Sequence, residues 1–85
     1  MEERRIGTVI GYFAKIGVAA VRVEEDSLKV GDTVHFKGHT TDFTQEVTSM
    51  QIEKEPVQEA KPGDGVGIKV QERVREGDGV YKVIE

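Results

Sequence analysis

One short stretch of this 85-residue chain gathers most of its reactive side chains. It reads His35-Phe36-Lys37-Gly38-His39-Thr40-Thr41-Asp42-Phe43. Two imidazoles, an ammonium, two hydroxyls, a carboxylate and two aromatic rings thus lie within nine positions. A polar loop of this kind, presented by a rigid scaffold, is where binding residues concentrate. The expected roles follow from the side-chain chemistry. Lys37 and His39 would meet a phosphate or a partner carboxylate, Thr40 and Thr41 would donate hydrogen bonds, and Phe43 would offer a flat stacking face, with Asp42 in the same candidate set. The competing reading is structural: Asp42 and the threonines satisfy the loop backbone while Phe43 plugs the end of the core. A metal centre on His35, His39 and Asp42 is not expected. Histidines four apart share a face only on a helix, and here a glycine separates strand from loop.

Two further groups could touch a ligand. Tyr12, Phe13 and Lys15 sit where the first strand turns, and adjacent residues of a strand point to opposite faces. One aromatic should therefore be in the core and the other outside, where it could stack on a base or a side chain. Lys69, Arg73 and Arg75 share parity along an extended chain and could form a basic stripe, although pairing with glutamates such as Glu24 and Glu46 is the commoner use of sheet cations. No acid–base pair, nucleophile elbow or Ser-His-Asp set can be assembled. Ser27 and Ser49 have no identifiable base, and the carboxylates fall in turns and on solvent faces. A catalytic role is not expected.

These residues must be positioned by strands. Apolar residues occur in short runs rich in Val, Ile, Thr and aromatics between glycine-containing turns. The expected strands cover residues 4–13, 18–24, 32–37, 44–52, 65–71 and 80–84, with a short extended piece at 56–59. Gly-Asp closes a turn three times, at Gly31-Asp32, Gly63-Asp64 and Gly77-Asp78. Glycine there supplies a positive φ and aspartate bonds back to a nearby amide. Gly7 and Gly11 interrupt the first strand, as expected where a long strand bends by bulges. The expected core is Val9, Val21, Val23, Val34, Phe36, Val47, Met50, Ile52, Val66, Ile68 and Val83. No low-complexity tract or internal repeat is apparent. The reading is one all-β domain over residues 1–85, a small closed antiparallel barrel of six to seven strands.

The totals exclude several classes. A chain this short has no room for a nucleotide-binding domain or a large substrate cavity. It has no cysteine, hence no disulfide, thiolate metal site or cysteine nucleophile. The net charge of −4 argues against autonomous, phosphate-driven nucleic-acid binding. No apolar run is long enough for a signal peptide or a membrane span, so a cytoplasmic protein is expected. A charge-rich composition lacking asparagine, cysteine and tryptophan is a weak sign of a thermophilic source.

Three segments carry a resemblance. Arg5-Ile6-Gly7-Thr8-Val9-Ile10-Gly11, Leu28-Lys29-Val30-Gly31-Asp32-Thr33-Val34 and Ala60-Lys61-Pro62-Gly63-Asp64-Gly65-Val66-Gly67-Ile68 resemble, in order, markers of the β-barrel second domain of elongation factor Tu-type translation factors. Gly17-Val18-Ala19-Ala20-Val21-Arg22-Val23 and residues 37–43 look closer to small stand-alone elongation factor-like proteins. They also resemble the C-terminal barrel of collagenase-like peptidases, a group associated with RNA modification. The resemblance implies a translation- or RNA-associated binding module that contacts tRNA or a ribonucleoprotein through its loops. The alternative is a protein-interaction accessory acting in trans with a collagenase-like peptidase or an RNA-modifying enzyme. No phosphate-cradling Gly-x-x-x-x-Gly-Lys-Ser/Thr loop is present, so no nucleotide, and no other cofactor, is expected.

Overall fold

The computed structural model describes residues 2–84, all in strands, turns and irregular segments. In chain order the strands are β1 (Glu2–Phe13), β2 (Val18–Val23), β3 (Leu28–Lys29), β4 (Thr33–Lys37), β5 (Asp42–Glu46), β6 (Met50–Ile52), β7 (Glu55–Val57), β8 (Glu59–Ala60), β9 (Gly65–Lys69) and β10 (Gly79–Ile84). Every pairing is antiparallel, and eight strands form one sheet in the order β5-β4-β10-β1-β2-β9-β6-β7. β3 and β8 pair separately. The all-β reading is correct, but the strand count is higher than expected. The expected strand at 44–52 is two strands, β5 and β6, and the pair β3–β8 joins residues that are far apart in sequence.

Alternation explains the core. Ala19, Val21 and Val23 of β2, Val34 and Phe36 of β4, and Val66 and Ile68 of β9 are buried, while their neighbours point outward. Branched side chains suit this half-buried, pleated surface. Nine of the eleven expected core residues are buried, with Ile52 and Val83 only half-buried. Ile6, Ala19, Leu28, Ala60, Val70, Val74 and Val80 complete the core.

β1 changes register between Arg5 and Gly7 against β10, and between Val9 and Gly11 against β2. The two interior glycines thus mark irregularities, and each extra residue re-aims its side chain. Ile6 is turned into the core, whereas Ile10 is turned out to solvent.

The three Gly-Asp turns prove to be one device used three times. Gly31, Gly63 and Gly77 have φ of 102°, 98° and 96°. Asp32, Asp64 and Asp78 each accept a hydrogen bond, at 2.8 Å, from the amide three residues earlier. Each turn then grips a buried valine on another segment. Gly31 donates to the Val47 carbonyl and the Val47 amide donates to the Asp32 carbonyl. Gly63 and Asp64 hold Val23 in the same way, and Gly77 and Asp78 hold Val9. Around each turn the residue three before the glycine (Leu28, Ala60, Val74) and the residue three after it (Val34, Val66, Val80) are buried. A seven-residue unit therefore recurs where no repeat was expected, because only the turn and the two burial positions are kept.

The backbone ladder runs linearly from β5 to β7. One buried side chain reaches across from the β5 end. Gln45 donates to the Lys69 carbonyl (2.8 Å) and accepts from the Gln71 amide (2.8 Å), tying β5 to the exit of β9.

Candidate functional site

The expected binding loop is a tight hairpin. β4 and β5 pair from Thr33–Glu46 to Lys37–Asp42, and Gly38 donates to the Thr41 carbonyl at 2.8 Å, leaving His39 and Thr40 at the tip. Gly38 lies against Asp78, and a Cβ there would collide with the Asp78 carboxylate. Arg75 Nε donates to Thr40 Oγ1 at 2.9 Å, so the tip is docked on the third Gly-Asp turn.

The six candidate residues divide. Lys37, His39, Thr40 and Asp42 are exposed, and Thr41 is buried. Phe43 is half-buried and stacks on Phe36, with ring centroids 5.2 Å apart and 26° between planes, so its face is used inside the molecule. Asp42 is engaged as well. It meets His35 Nε2 while Glu3, from β1, meets His35 Nδ1 at 2.8 Å. Asp42 first, then Glu3, stabilise the imidazolium and raise the His35 pKa above its ordinary value. His35 thus links β5 to β1 across β10. His39 takes no part in this cluster, and no set of three metal-ligating side chains is grouped among the described residues.

The cations of 69–75 do not form a stripe. β9 ends at Lys69, so parity does not carry on to Arg73 and Arg75. Lys69 Nζ donates to the Ile16 carbonyl (2.6 Å), Arg73 lies 6.0 Å from the Tyr12 ring, and Arg75 binds Thr40. Nor do they pair with Glu24 or Glu46 among the described residues. Glu24 accepts from Thr8 Oγ1 instead.

A second surface was only glimpsed in the sequence. As expected of adjacent aromatics, Tyr12 packs against the core and Phe13 faces out. Phe13 is 56% exposed, Ile16 55% and Ile10 40%, and together they form an apolar ridge along the β1–β2 hairpin. Beside it runs a groove of about 490 Å³, floored by Ala20, Gly65 and Gly67 and bounded opposite by Gln51, Glu53 and Lys54. Glu53 and Lys54 form the β6–β7 turn at φ of 50° and 69°, a left-handed conformation usually left to Asn and Gly. The available signal was a count: alternation cannot bury Ile10, Tyr12, Phe13, Ile16 and Val18 together.

Comparison with known proteins places these features in a family. Residues 17–78 match the family described as elongation factor Tu domain 2. The match begins at Gly17, so of the segments that carry the resemblance Arg5–Gly11 precedes it and the others lie within it. An uncharacterized protease of Methanocaldococcus jannaschii is 44% identical over 81 residues, covering 94% of this chain and 20% of that protein. A collagenase of Porphyromonas gingivalis is 35% identical over 78 residues, covering 91% and 22%. The chain spans about a fifth of the length of these relatives. The C-terminal domain of a Geobacillus thermoleovorans U32 peptidase superposes with a TM-score of 0.86 at 27% identity, over 93% of this chain and 99% of that one. The chain belongs to the elongation factor Tu domain 2 family and is similar to the variety carried at the C-terminus of U32 peptidases.

Proposed function

We propose that this domain is a non-catalytic docking module that binds another protein through the β1–β2 face. The observation that carries this reading is the exposure of Ile10, Phe13 and Ile16 side by side. Scattered apolar residues are ordinary on a surface, but a contiguous apolar ridge beside a groove marks an interaction site. A protease-like partner is supported by the relatives, in which the matching segment accompanies a much longer chain called a protease or collagenase. The module would hold such an enzyme in trans, in the cytoplasm. Closure of the sheet into a barrel, with Gln45 as the clasp between β5 and β9, would give the face a rigid backing.

The test is direct. The Methanocaldococcus jannaschii protease, prepared without the segment matching this chain, is titrated with the domain by calorimetry. Binding that is lost in Phe13→Asp supports the reading. No heat at about 100 µM of each component refutes it, since even a weak specific interface would register there.

A second reading concerns the hairpin tip. Lys37 and His39 are exposed and make no ion pair or side-chain hydrogen bond among the described residues, so they are available to a phosphate backbone. Contact with tRNA or a ribonucleoprotein through Lys37, His39 and Thr40 would be weak in a domain of net charge −4. Labelled tRNA titrated at low and moderate salt decides this, and absence of salt-sensitive binding at low salt removes it.

A further inference from the structure

The groove beside the apolar ridge has a charge pattern of its own. Arg22 pairs with Gly65 across β2 and β9, Lys54 lines the wall, Lys69 reaches the Ile16 carbonyl, and Lys15 lies between Phe13 and Ile16 in the turn. None of these four cations makes an ion pair among the described residues. Among the described residues Glu53 is the only carboxylate lining the groove. By strand register Arg22 and Lys69 stand on the same face as Ala20, Gly65 and Gly67, one toward each end of the apolar trough, with Lys54 beside Glu53 on its wall, in a domain carrying four more acidic than basic side chains. Such a surface is complementary to a group that is apolar at its centre and anionic at its edges.

Gly65 adds an independent mark. It opens β9 with an ordinary φ, and an added Cβ would meet nothing within 4 Å. Glycine weakens a strand, so a residue with a side chain would serve the fold better at this position. What glycine does here is leave the floor of the groove open.

Resting on the docking reading above, we infer that the groove takes a bulky apolar side chain, aromatic or leucine-like, from a partner protein segment in which carboxylates flank that residue. The volume fits one large side chain with its neighbours, and buried apolar anchors of this kind dominate protein interfaces. A nucleotide shares part of this chemistry. The aliphatic walls of Ile10 and Ile16 favour the protein segment.

The experiment uses the full chain, ¹⁵N-labelled, with three probes: a five-residue acetylated peptide carrying Trp between two Asp, the same peptide with two Lys, and adenosine 5′-monophosphate. The Asp-flanked peptide is expected to shift the amides of Ile10, Ala20, Gly65 and Gly67 and to bind at least about tenfold more tightly than the Lys-flanked one. Gly65→Leu should weaken that binding by about tenfold or more while leaving the unfolding midpoint unchanged or raised. Tighter binding of the nucleotide at this groove, no binding of any probe, or a Gly65→Leu variant that binds as well as the parent would each overturn the inference. The two readings fail separately. If Gly65→Leu still binds the protease chain while Phe13→Asp does not, the ridge docks and the groove stays empty.

Discussion

The three Gly-Asp turns invite a graded perturbation, because their chemistry is the same and their surroundings differ. Asp32, Asp64 and Asp78 each accept one backbone amide at 2.8 Å. At the first two turns the amides of Lys29 and Lys61 are near solvent, so water replaces the carboxylate when it is removed. Replacement by alanine should then cost about 1 kcal/mol at Asp64, the net value of an ordinary hydrogen bond, and up to about 1 kcal/mol more at Asp32, which also pairs with Lys82 Nζ at 3.5 Å. Asp78 is 5% exposed and covered by Gly38 of the hairpin. Its removal leaves the Arg75 amide without water, loses a hydrogen bond to a charged acceptor and loosens the seat of the hairpin. A cost of about 2–3 kcal/mol follows, or a fall of roughly 10–20 °C in Tm for a domain of this size. Urea unfolding of Asp32→Ala, Asp64→Ala and Asp78→Ala, followed by two probes to verify two-state behaviour, measures the series. Equal costs at the three sites, or a larger cost at Asp64 than at Asp78, would refute the argument that burial rather than turn chemistry sets the magnitude.

Three other perturbations bear on the framework. Gln45→Ala removes the bridge between β5 and the end of β9, and should cost about 2–3 kcal/mol, with amide exchange at Gln71 rising more than at Val66. The pair Glu53→Asn with Lys54→Gly relieves two left-handed side-chain-bearing residues, and should stabilise the domain by roughly 1 kcal/mol in the same urea assay. The His35 pKa is raised in the folded state, first by Asp42 and then by Glu3. Its stabilisation is therefore complete below the ordinary value of about 6.5 and is lost as pH climbs through the raised one. The urea midpoint should fall over that window, and His35→Gln should flatten the fall.

Much of the fold could be read from the chain because its instructions are local. Gly-Asp turns, interior glycines in β1 and alternation in β2, β4 and β9 each act within a few residues. The break between β5 and β6 could not be read in this way. Residues 44–52 look like one continuous strand, and what bends the chain is a tertiary grip, the clamp of Gly31 and Asp32 on both backbone groups of Val47. The β3–β8 pair escaped for the same reason, since it joins Leu28 to Ala60. At the candidate site the residue types could be read from the chain, but their contacts could not. Phe43 stacks inward on Phe36, Asp42 is committed to His35, and Thr40 is held by Arg75, all through contacts with distant strands or with the third turn. The ridge was half visible in Phe13. Its joining of Ile10 and Phe13 on one face depends on the register shift between Val9 and Gly11, which changes the parity between them in a way plain alternation does not foresee.

The central claim is that the β1–β2 face is where this domain meets another protein. Its most direct test is chemical-shift mapping of the ¹⁵N-labelled domain during addition of the Methanocaldococcus jannaschii protease prepared without its matching segment. The account predicts that perturbed amides cluster at Ile10, Phe13, Ile16, Ala20 and Gly67, with the Lys37–Asp42 end of the β4–β5 hairpin unaffected. Perturbations confined to residues 37–43, or none on the β1–β2 face, would contradict it.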